Sequence, residues 1–316
     1  MKITNKEIKK IFYINLKITP KEISKIRVNI SKNIYDIDNK YILKISNETN
    51  KITLKKAYFL MTFFKNKMPC PKVICFDDSK KIIPYCYGIY EKIKGENLIN
   101  IWHDLTDKQR EIAVKHICNK LLLPLYTTEY DSRFKKFARG RFGLNPNINW
   151  HDAFTFEINN KLKDIKKKKL LPQKQINRVN NFILKNKYLL YESNLKLTYW
   201  DLNFNNIIID PKTKKIAGFI DFDAICYSSI DYPLLMIKRM SIEPEFFAMN
   251  LFKYIKKKDY KSLMKLFQKY NPDMFKFTDL SIRLDLYLLE RRLRFLLKYP
   301  KSKIVSDQIY KIIDKY

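Results

Sequence analysis

Histidine is scarce in this sequence, and its cysteines do not form metal-binding pairs. The three histidines and the five cysteines are scattered, without the spacing of a zinc site. We therefore expect isolated, reduced thiols, and we expect any chemistry to rest on carboxylates, amides and lysine. The residues concerned are His103, His116, His151, Cys70, Cys75, Cys86, Cys118 and Cys226.

Long apolar runs are also absent. No stretch reaches the roughly 18 apolar residues of a membrane-spanning helix, and the opening MKITNKEIKKIFY is broken by charge, unlike a secretion signal. Internal repeats and low-complexity linkers are missing as well. The hydrophobic fraction of 46% excludes wholesale disorder. With 316 residues, we expect a cytoplasmic protein without membrane insertion, built as one large domain or as two lobes.

Acidic residues are few beside the basic ones, 32 against 63, so the net charge is +31. Two explanations remain open: a polyanionic partner such as RNA, or a genome whose A- and T-rich codons favour lysine, isoleucine, asparagine, tyrosine and phenylalanine. The lysines are spread along the chain, with short runs at 166–169 and 256–258, and no RNA-binding signature with interleaved aromatics and glycines accompanies them. A nucleic-acid partner therefore stays open but is not favoured.

The apolar patterns change in character along the chain. The N-terminal part predicts a hairpin at 33–46 around an Asp-Asn turn, a helix at 52–66 and further strands at 71–93. From about residue 97 the patterns are mainly helical, with helices predicted at 106–126, 150–187 and 283–300. The sequence therefore predicts a small sheet-bearing lobe at 1–92 and a larger helical lobe at 93–316.

A polar cluster stands beside an apolar run in LTYWDLNFNNIIID, residues 197–210. Two apolar runs, 207–209 and 216–220, are separated by DPKTKK, which predicts strand, turn and strand. Antiparallel pairing places position 206 opposite a residue near 221, so Asn206 and Asp221 meet at the open end of the hairpin. An amide oxygen and a carboxylate held by strands form a hard-oxygen site suited to Mg²⁺.

Two further acids flank this hairpin. Asp201 lies on the loop that leads into it, where a carboxylate can accept the proton of a hydroxyl during phosphoryl transfer. Asp223 follows directly after Asp221 and either assists the metal or caps a turn. The competing interpretation of the whole set is a group of ordinary strand and turn caps.

The residues around these acids resemble the aminoglycoside phosphotransferase and choline kinase family, whose members are relatives of protein kinases. Its pattern, H-[GN]-D-x-x-x-x-N followed by a hairpin and D-[FW]-[DEG], is similar to DLNFNN and IDFD here. IYEKIKGENL (89–98) resembles the adenine-binding hinge, and YILKI places Lys44 like the phosphate-binding lysine. The resemblance covers residues 28 to about 235. It implies an α+β, protein-kinase-like two-lobed fold, with a small antiparallel-sheet N-lobe and a larger mainly helical C-lobe.

The resemblance also implies a role for each matching residue in a transfer of the γ-phosphoryl group of ATP or GTP. Asp201 would be the catalytic base, and Lys44 would contact the α- and β-phosphates. The metal ligands would be Asn206 and Asp221, assisted by Asp223, and the cofactors would be the nucleotide and Mg²⁺. Asp231 would brace the loop as a structural acid. The remaining nucleotide-binding positions implied are Ser31 and Asn33 of the phosphate-covering loop and Glu91 and Lys92 of the hinge.

Three positions depart from the family pattern. Tyr199 and Trp200 replace the usual His-Gly or His-Asn before the base. The phosphate-covering loop has no glycine. No acid lies between Lys51 and Phe76, so Lys44 lacks the expected glutamate partner, and Lys56 stands near that position.

The implied acceptor is a hydroxyl of a small molecule. Acids in the larger lobe could face a cationic acceptor, although ordinary surface placement is favoured for each of them: Glu243, Glu245, Asp279 and Asp285. The strongly basic composition gives no bulk attraction for a polycation. The alternative function is that of a catalytically weak, pseudokinase-like protein that binds nucleotide or a polyanion such as RNA.

Overall fold

A computed structural model describes residues 3–26, 33–46, 51–247 and 255–316. The chain divides into two compact units. Unit 1 consists of Met1–Pro124, Asn203–Ala224 and Phe247–Ile255, and unit 2 consists of Leu125–Leu202, Ile225–Phe246 and Lys256–Tyr316. None of the helices in the described ranges combines the length and the apolar character that a membrane-spanning segment requires.

Unit 1 contains an antiparallel sheet of five strands in the spatial order β1-β2-β3-β5-β4. The predicted hairpin at 33–46 and the predicted strands at 71–93 are confirmed as parts of this sheet. Its strands are β1 (Ile23–Lys25), β2 (Asn33–Ile37), β3 (Tyr41–Ser46), β4 (Val73–Asp77) and β5 (Cys86–Glu91).

One face of the sheet packs on the N-terminal helix α1 (Asn5–Leu16). Successive side chains of a strand point to opposite faces, and Leu43 and Ile45 of β3 are buried on the α1 side with Ile11 and Phe12. Helix α1 begins at a capping box in which the Thr4 side chain accepts the Glu7 N–H. Helix α1 was not predicted from the sequence, because the first ninety residues were interpreted as mainly strand.

The predicted helix at 52–66 is confirmed as α2 (Lys51–Phe64). It contacts β3, β4 and β5 and the 3-10 turn Phe222–Ala224. Lys44 lies between Leu43 and Ile45 on β3, so its side chain points away from the α1 core. This orientation explains how a lysine within an apolar strand remains available for polar contacts.

The rest of unit 1 begins with a two-residue strand and a short helix, β6 (Glu96–Asn97) and α3 (Leu98–Ile101). Helix α4 (Asp107–Ile117) starts at the capping box formed by Thr106 and Gln109, as the sequence predicted. The helix then widens into a π turn at Cys118–Leu122 and continues through Pro124 as α5 (Leu123–Tyr126). A proline ring clashes with the carbonyl one turn earlier, and a widened turn relieves that clash.

Unit 2 is mainly helical. The helical segment predicted at 150–187 is interrupted at Pro172, and the predicted late helix is confirmed. Two strands, β7 (Leu195–Tyr199) and β10 (Ile225–Ser229), pair antiparallel, with Tyr199 opposite Ile225. The helices are α6 (Trp150–Lys167), α7 (Gln173–Asn186), α8 (Leu234–Ile242), α9 (Leu263–Tyr270), α10 (Leu280–Lys298) and α11 (Lys303–Ile313). The lobe boundary predicted at residue 92 stays a prediction.

Candidate active site

The predicted hairpin in unit 1 consists of β8 (Ile207–Ile209) and β9 (Ile216–Phe219). The strands pair antiparallel, with Ile207 opposite Phe219, and the Ile220 N–H donates to the Asn206 carbonyl at 2.9 Å. Asn206 and Asp221 therefore leave the open end of the hairpin side by side, as the pattern of the two apolar runs predicted. An amide oxygen and a carboxylate can act together on a ligand at this end.

A 3-10 turn, Phe204–Asn206, delivers Asn206 to the hairpin. The Asn203 side chain caps this turn by accepting the Asn205 N–H at 3.0 Å. The Asn205 amide donates to the Phe247 carbonyl at 2.8 Å, and the Asn97 amide donates to the Asn205 carbonyl. The asparagines before position 206 therefore build the turn, while Asn206 itself stands next to the acids.

Asp221 has a left-handed backbone conformation, with φ of 64°. Few residues other than glycine adopt this region, and such strain concentrates at functional positions. The Ala224 N–H donates to the Asp221 carbonyl at 3.0 Å, which closes the turn that carries Asp223. The chain therefore changes direction at Asp221 itself, the predicted metal ligand.

The side chain of Lys44 pairs with Asp221, with Nζ 3.4 Å from Oδ1. Both side chains are partly buried. The missing acid on α2 is therefore replaced, in this structure, by the acid at the end of the hairpin. Lys44 and Asp221 are 177 positions apart in sequence, and their meeting places the predicted phosphate-binding lysine beside the predicted metal ligand.

Lys44 and Asp223 both line a small pocket. It lies between β3 and the start of α2, on the face of β3 from which Lys44 projects. Its lining residues are Lys44, Ile45, Ser46, Thr53, Leu54, Ala57 and Asp223. The structure thus brings together Lys44, Asn206, Asp221 and Asp223 within unit 1.

The hinge residues Glu91 and Lys92 lie at the end of β5, and their amide N–H groups are already in use. The Glu91 N–H donates to the Lys72 carbonyl at 2.8 Å, and the Lys92 N–H donates to the Lys40 carbonyl at 2.9 Å. Their side chains form ion pairs, Glu91 with Lys72 at 2.9 Å and Lys92 with Asp36 at 2.5 Å. A nucleotide base at this hinge would have to use other backbone groups.

The two positions predicted in the phosphate-covering loop have different outcomes. Ser31 lies outside the described residues. Asn33 begins β2 and pairs in register with Ile45, next to Lys44 on the neighbouring strand. A role of Asn33 in holding phosphate stays a prediction.

Asp201 belongs to unit 2, where it follows β7 through Tyr199 and Trp200. Its Oδ1 lies 3.9 Å from Nη2 of Arg291 on α10. Trp200 stacks on Phe142, with ring centroids 4.9 Å apart, and the Arg291 guanidinium lies 5.9 Å from the Trp200 ring. The residue that departs from the family pattern therefore packs against the side chain that contacts the predicted base.

Surface placement is wrong for Asp285, one of the acids considered for a cationic acceptor. Its side chain is 1% exposed and accepts from Lys238 at 3.1 Å and from Lys315 at 2.9 Å. Glu243 is also mostly buried, and it accepts from Arg239 and Arg292. These carboxylates are neutralised by cations of the same chain.

An arginine beside Asp201 was not predicted from the sequence. Arg291 lies in LERRLRFLLK, 90 positions after Asp201, and only the tertiary fold makes it a neighbour of the base. The arginine-rich composition of this helix was a usable signal, because arginines on a mainly apolar helix require acidic or anionic partners.

Comparison with known proteins identifies a family and a set of similar folds. The model of the phosphotransferase enzyme family matches residues 22–264. No curated protein matches the sequence. Three solved structures are similar over nearly their full lengths. The streptomycin–ATP ternary complex of APH(2'')-IIa has 17% identity and a TM-score of 0.69, with 100% of this chain and 98% of that chain covered. The ADP-bound aminoglycoside phosphotransferase APH(2'')-Ib has 17% identity and a TM-score of 0.68, with 96% of each chain covered. The GDP complex of wild-type aminoglycoside 2'-phosphotransferase-IIIa has 10% identity and a TM-score of 0.68, with 99% of this chain and 98% of that chain covered.

These findings confirm the α+β, protein-kinase-like two-lobed fold, and they define the class of the protein as a kinase-type phosphotransferase. Because the family model covers most of the sequence, the chain belongs to the phosphotransferase enzyme family.

Proposed function

We propose that this protein transfers the γ-phosphoryl group of ATP or GTP to a hydroxyl of a small molecule and that the reaction depends on Mg²⁺. The observation that carries the proposal is the convergence of Lys44, Asn206 and Asp221. A lysine, an amide and a carboxylate at the open end of one hairpin match the needs of a bound polyphosphate. The resemblance to structures that hold ATP, ADP and GDP supports a nucleotide donor.

The donors present fit Mg²⁺. No group of three or more His, Cys, Asp or Glu side chains within the described ranges could hold a metal by itself. Mg²⁺ usually keeps few protein ligands and completes its shell with water and substrate phosphates, so a carboxylate and an amide suffice. Asn206 and Asp221 would hold the ion, and Asp223 stands close enough in sequence to assist. The ion would neutralise charge on the phosphates.

The chain's own residues would act as follows. Lys44 would exchange its pairing with Asp221 for contacts with the α- and β-phosphates, because a phosphate is the more highly charged partner. Asp201 would orient the acceptor hydroxyl and accept its proton as the phosphoryl group is transferred. Trp200, stacked on Phe142, would fix the loop in place of the histidine that the family pattern carries.

Thermal unfolding and turnover test this proposal together. ATP or GTP with Mg²⁺ should raise the melting temperature of the purified protein, and ATP should be slowly hydrolysed. Asp201→Asn should lower turnover at least about 100-fold and leave the nucleotide-induced shift in place, because a general base acts on the reaction and not on nucleotide binding. Asp221→Asn should remove the part of the shift that requires Mg²⁺.

Asp273→Asn is the matched control, because Asp273 is an exposed carboxylate paired with Lys276 at 2.8 Å. It should change neither quantity. Unchanged turnover in Asp201→Asn would refute the assignment of the base. A melting temperature that stays the same with and without nucleotide would refute the proposed function.

A second candidate is a nucleotide-binding protein without turnover. The pairing of Lys44 with Asp221 favours it, because the lysine then neutralises the same carboxylate that would hold the metal. This candidate predicts nucleotide-induced stabilisation that is equal in the wild type and in Asp201→Asn, with no release of ADP from either protein.

A further inference from the structure

Arg291 contacts the predicted base directly and is only partly exposed. Its Nη2 lies 3.9 Å from Asp201 Oδ1, and its guanidinium lies over the rings of Trp200 and Phe295 at 5.9 Å and 5.5 Å. A hydroxyl that reaches hydrogen-bond distance of Asp201 therefore brings the rest of its molecule within reach of this guanidinium.

Two more arginines, Arg239 and Arg292, share the carboxylate of Glu243. Arg239 Nε lies 2.7 Å from Glu243 Oε1, and Arg292 Nη2 lies 2.5 Å from the same oxygen. Burial lowers the pKa of Arg239, and the positive charge of Arg292 lowers it further. Burial also lowers the pKa of Arg291, against the attraction of Asp201. Two of these guanidiniums thus share one carboxylate oxygen.

A neighbouring set of cations also shares one carboxylate. The buried carboxylate of Glu290 accepts from Arg294 at 2.8 Å, and it pairs with Lys161 at 3.1 Å and Arg141 at 3.3 Å. The two sets meet at Phe142, which stacks on Trp200 and lies 4.4 Å from the Arg141 guanidinium and 5.4 Å from that of Arg294.

Single carboxylate oxygens serve several cations in both sets. Arg239 and Arg292 contact the same oxygen of Glu243, and Arg141, Lys161 and Arg294 contact the same oxygen of Glu290. Removing one such carboxylate would leave costly charge behind.

Several donors in these sets are also unsatisfied. In the described part of the chain, the buried Nε atoms of Arg291 and Arg292 and the indole N–H of Trp200 have no hydrogen-bond partner. A ligand with an oxyanion would offer acceptors of the charge that a guanidinium binds most strongly.

We infer that the acceptor is a hydroxyl compound that carries a carboxylate or a phosphate group and that Arg291 binds this group while the hydroxyl meets Asp201. The inference rests on the proposed phosphotransfer function. Guanidinium is suited to the task because its planar fork donates two parallel hydrogen bonds to an oxyanion. A polycationic acceptor would instead place ammonium groups against the guanidinium of Arg291, which is a repulsive arrangement.

Matched ligands of one size test the inference without nucleotide. Glycerol, glycerate, glycerol phosphate and aminopropanediol share a three-carbon hydroxyl frame and differ in charge. At constant ionic strength, glycerate or glycerol phosphate should bind at least about tenfold more tightly than glycerol or the amine, as measured by calorimetry and by the shift in melting temperature. The comparison of the two anions tells whether carboxylate or phosphate is preferred.

Arg291→Met should abolish this preference, and Arg291→Lys should retain part of it, because lysine keeps the charge but not the fork. Arg178→Met is the matched control in the same unit, since Arg178 forms an exposed ion pair with Asp314 at 2.7 Å. It should retain the preference in full. The ligand series on the wild type gives an answer even where Arg291→Met fails to fold.

Equal affinity across the series, or no binding by any member, overturns the inference, and so does a preference that survives in a folded Arg291→Met protein. Failure of the phosphotransfer function is a separate result. It would appear as an absent response to Mg²⁺-ATP, while the anion preference is measured with no nucleotide present.

Discussion

The ammonium group of Lys44 lies 3.4 Å from a carboxylate oxygen of Asp221, so the predicted phosphate-binding lysine and the predicted metal ligand are partners in this structure. Under the proposed function, a nucleotide with Mg²⁺ would separate them, since each would take a new partner of opposite charge. The pair therefore keeps both side chains in position for a ligand, at the cost of one weak contact when the ligand binds.

Lys44→Met should leave the fold stable and weaken nucleotide binding. A partly exposed ion pair at this distance contributes about 0–1 kcal/mol, so the free energy of unfolding should change by no more than that. The melting-temperature shift produced by Mg²⁺-ATP should fall strongly, because the α- and β-phosphates lose a cation. Lys55→Met is the control, since Lys55 pairs with Asp78 at 3.0 Å on the surface. A nucleotide response that is equal in both variants would contradict the role of Lys44.

The hairpin with Asn206 and Asp221 could be predicted from sequence because its causes are local. Two runs of isoleucine flank a turn rich in Asp, Pro and Lys, and antiparallel pairing then determines which residues meet. The observed bond from Ile220 to Asn206 agrees with the predicted pairing near position 221. Helix α2 and strands β2 to β5 follow from equally local periodicity.

The remainder of the site depends on contacts between distant segments. Lys44 meets Asp221 because β3, α2 and the turn after β9 pack together. Arg291 meets Asp201 because α10 passes the end of β7. Neither contact leaves a periodic signal in the sequence. Helix α1 was missed for another reason: Ile8, Ile11 and Phe12 have the spacing of one helical face, but the first ninety residues were interpreted as mainly strand.

Glu290 should make the stability of unit 2 sensitive to acid. Burial alone would raise its pKa, but Arg141, Arg294 and Lys161 outweigh burial and lower it from 4.5 to about 2. A carboxyl group with a lowered pKa in the folded state stabilises the protein above the unfolded value and loses that contribution as the pH falls toward the folded value. The shift corresponds to roughly 3 kcal/mol at neutral pH, lost between about pH 4.5 and pH 2.

Glu290→Gln should therefore destabilise the protein at pH 7, by about 3–5 kcal/mol, because the buried Arg141 and the partly exposed Lys161 and Arg294 lose their shared carboxylate. Chemical denaturation from pH 7 down to the acid limit of folding should show a flatter pH dependence than the wild type. Glu157→Gln is the matched control, since Glu157 contacts the same Lys161 at 2.6 Å but is 38% exposed. Equal destabilisation by the two substitutions would contradict the importance of the buried position.

Asp231 should be essential for folding rather than for catalysis. The acid pairs with Arg283 at 2.8 Å, and both side chains are fully buried, so the structure supports the predicted structural role. The Tyr287 hydroxyl also donates to Asp231, at 3.1 Å. Asp231→Asn leaves the Arg283 charge buried without its partner and should cost about 3 kcal/mol or more in the free energy of unfolding.

Urea denaturation of Asp231→Asn beside Asp273→Asn measures this cost. The Asp273 variant breaks an exposed pair and should lose less than about 0.5 kcal/mol. Similar losses in both variants would show that the buried pair is not what stabilises this region.

Removal of the hydroxyl groups of Tyr90 and Tyr87 on β5 should have different effects on the free energy of unfolding. Tyr87 is buried on the α1 side, where its hydroxyl accepts from the Asn15 amide at 3.0 Å and donates to Asp77 at 3.0 Å. Tyr90 points to the other face, and among the described residues its buried hydroxyl has no hydrogen-bond partner. Burial raises the pKa of Tyr90, and the negative charge of Asp223 adds to that effect.

Tyr90→Phe should therefore leave the free energy of unfolding unchanged or raise it by about 1 kcal/mol, because an unsatisfied buried hydroxyl is removed. Tyr87→Phe should lower the same quantity by about 1–2 kcal/mol, because Asn15 and Asp77 lose a partner. Urea denaturation of the two variants measures the difference. If Tyr90→Phe is as destabilising as Tyr87→Phe, the Tyr90 hydroxyl has a partner in solution, and a loss of nucleotide-induced stabilisation in that variant would place this partner in the pocket of Lys44 and Asp223.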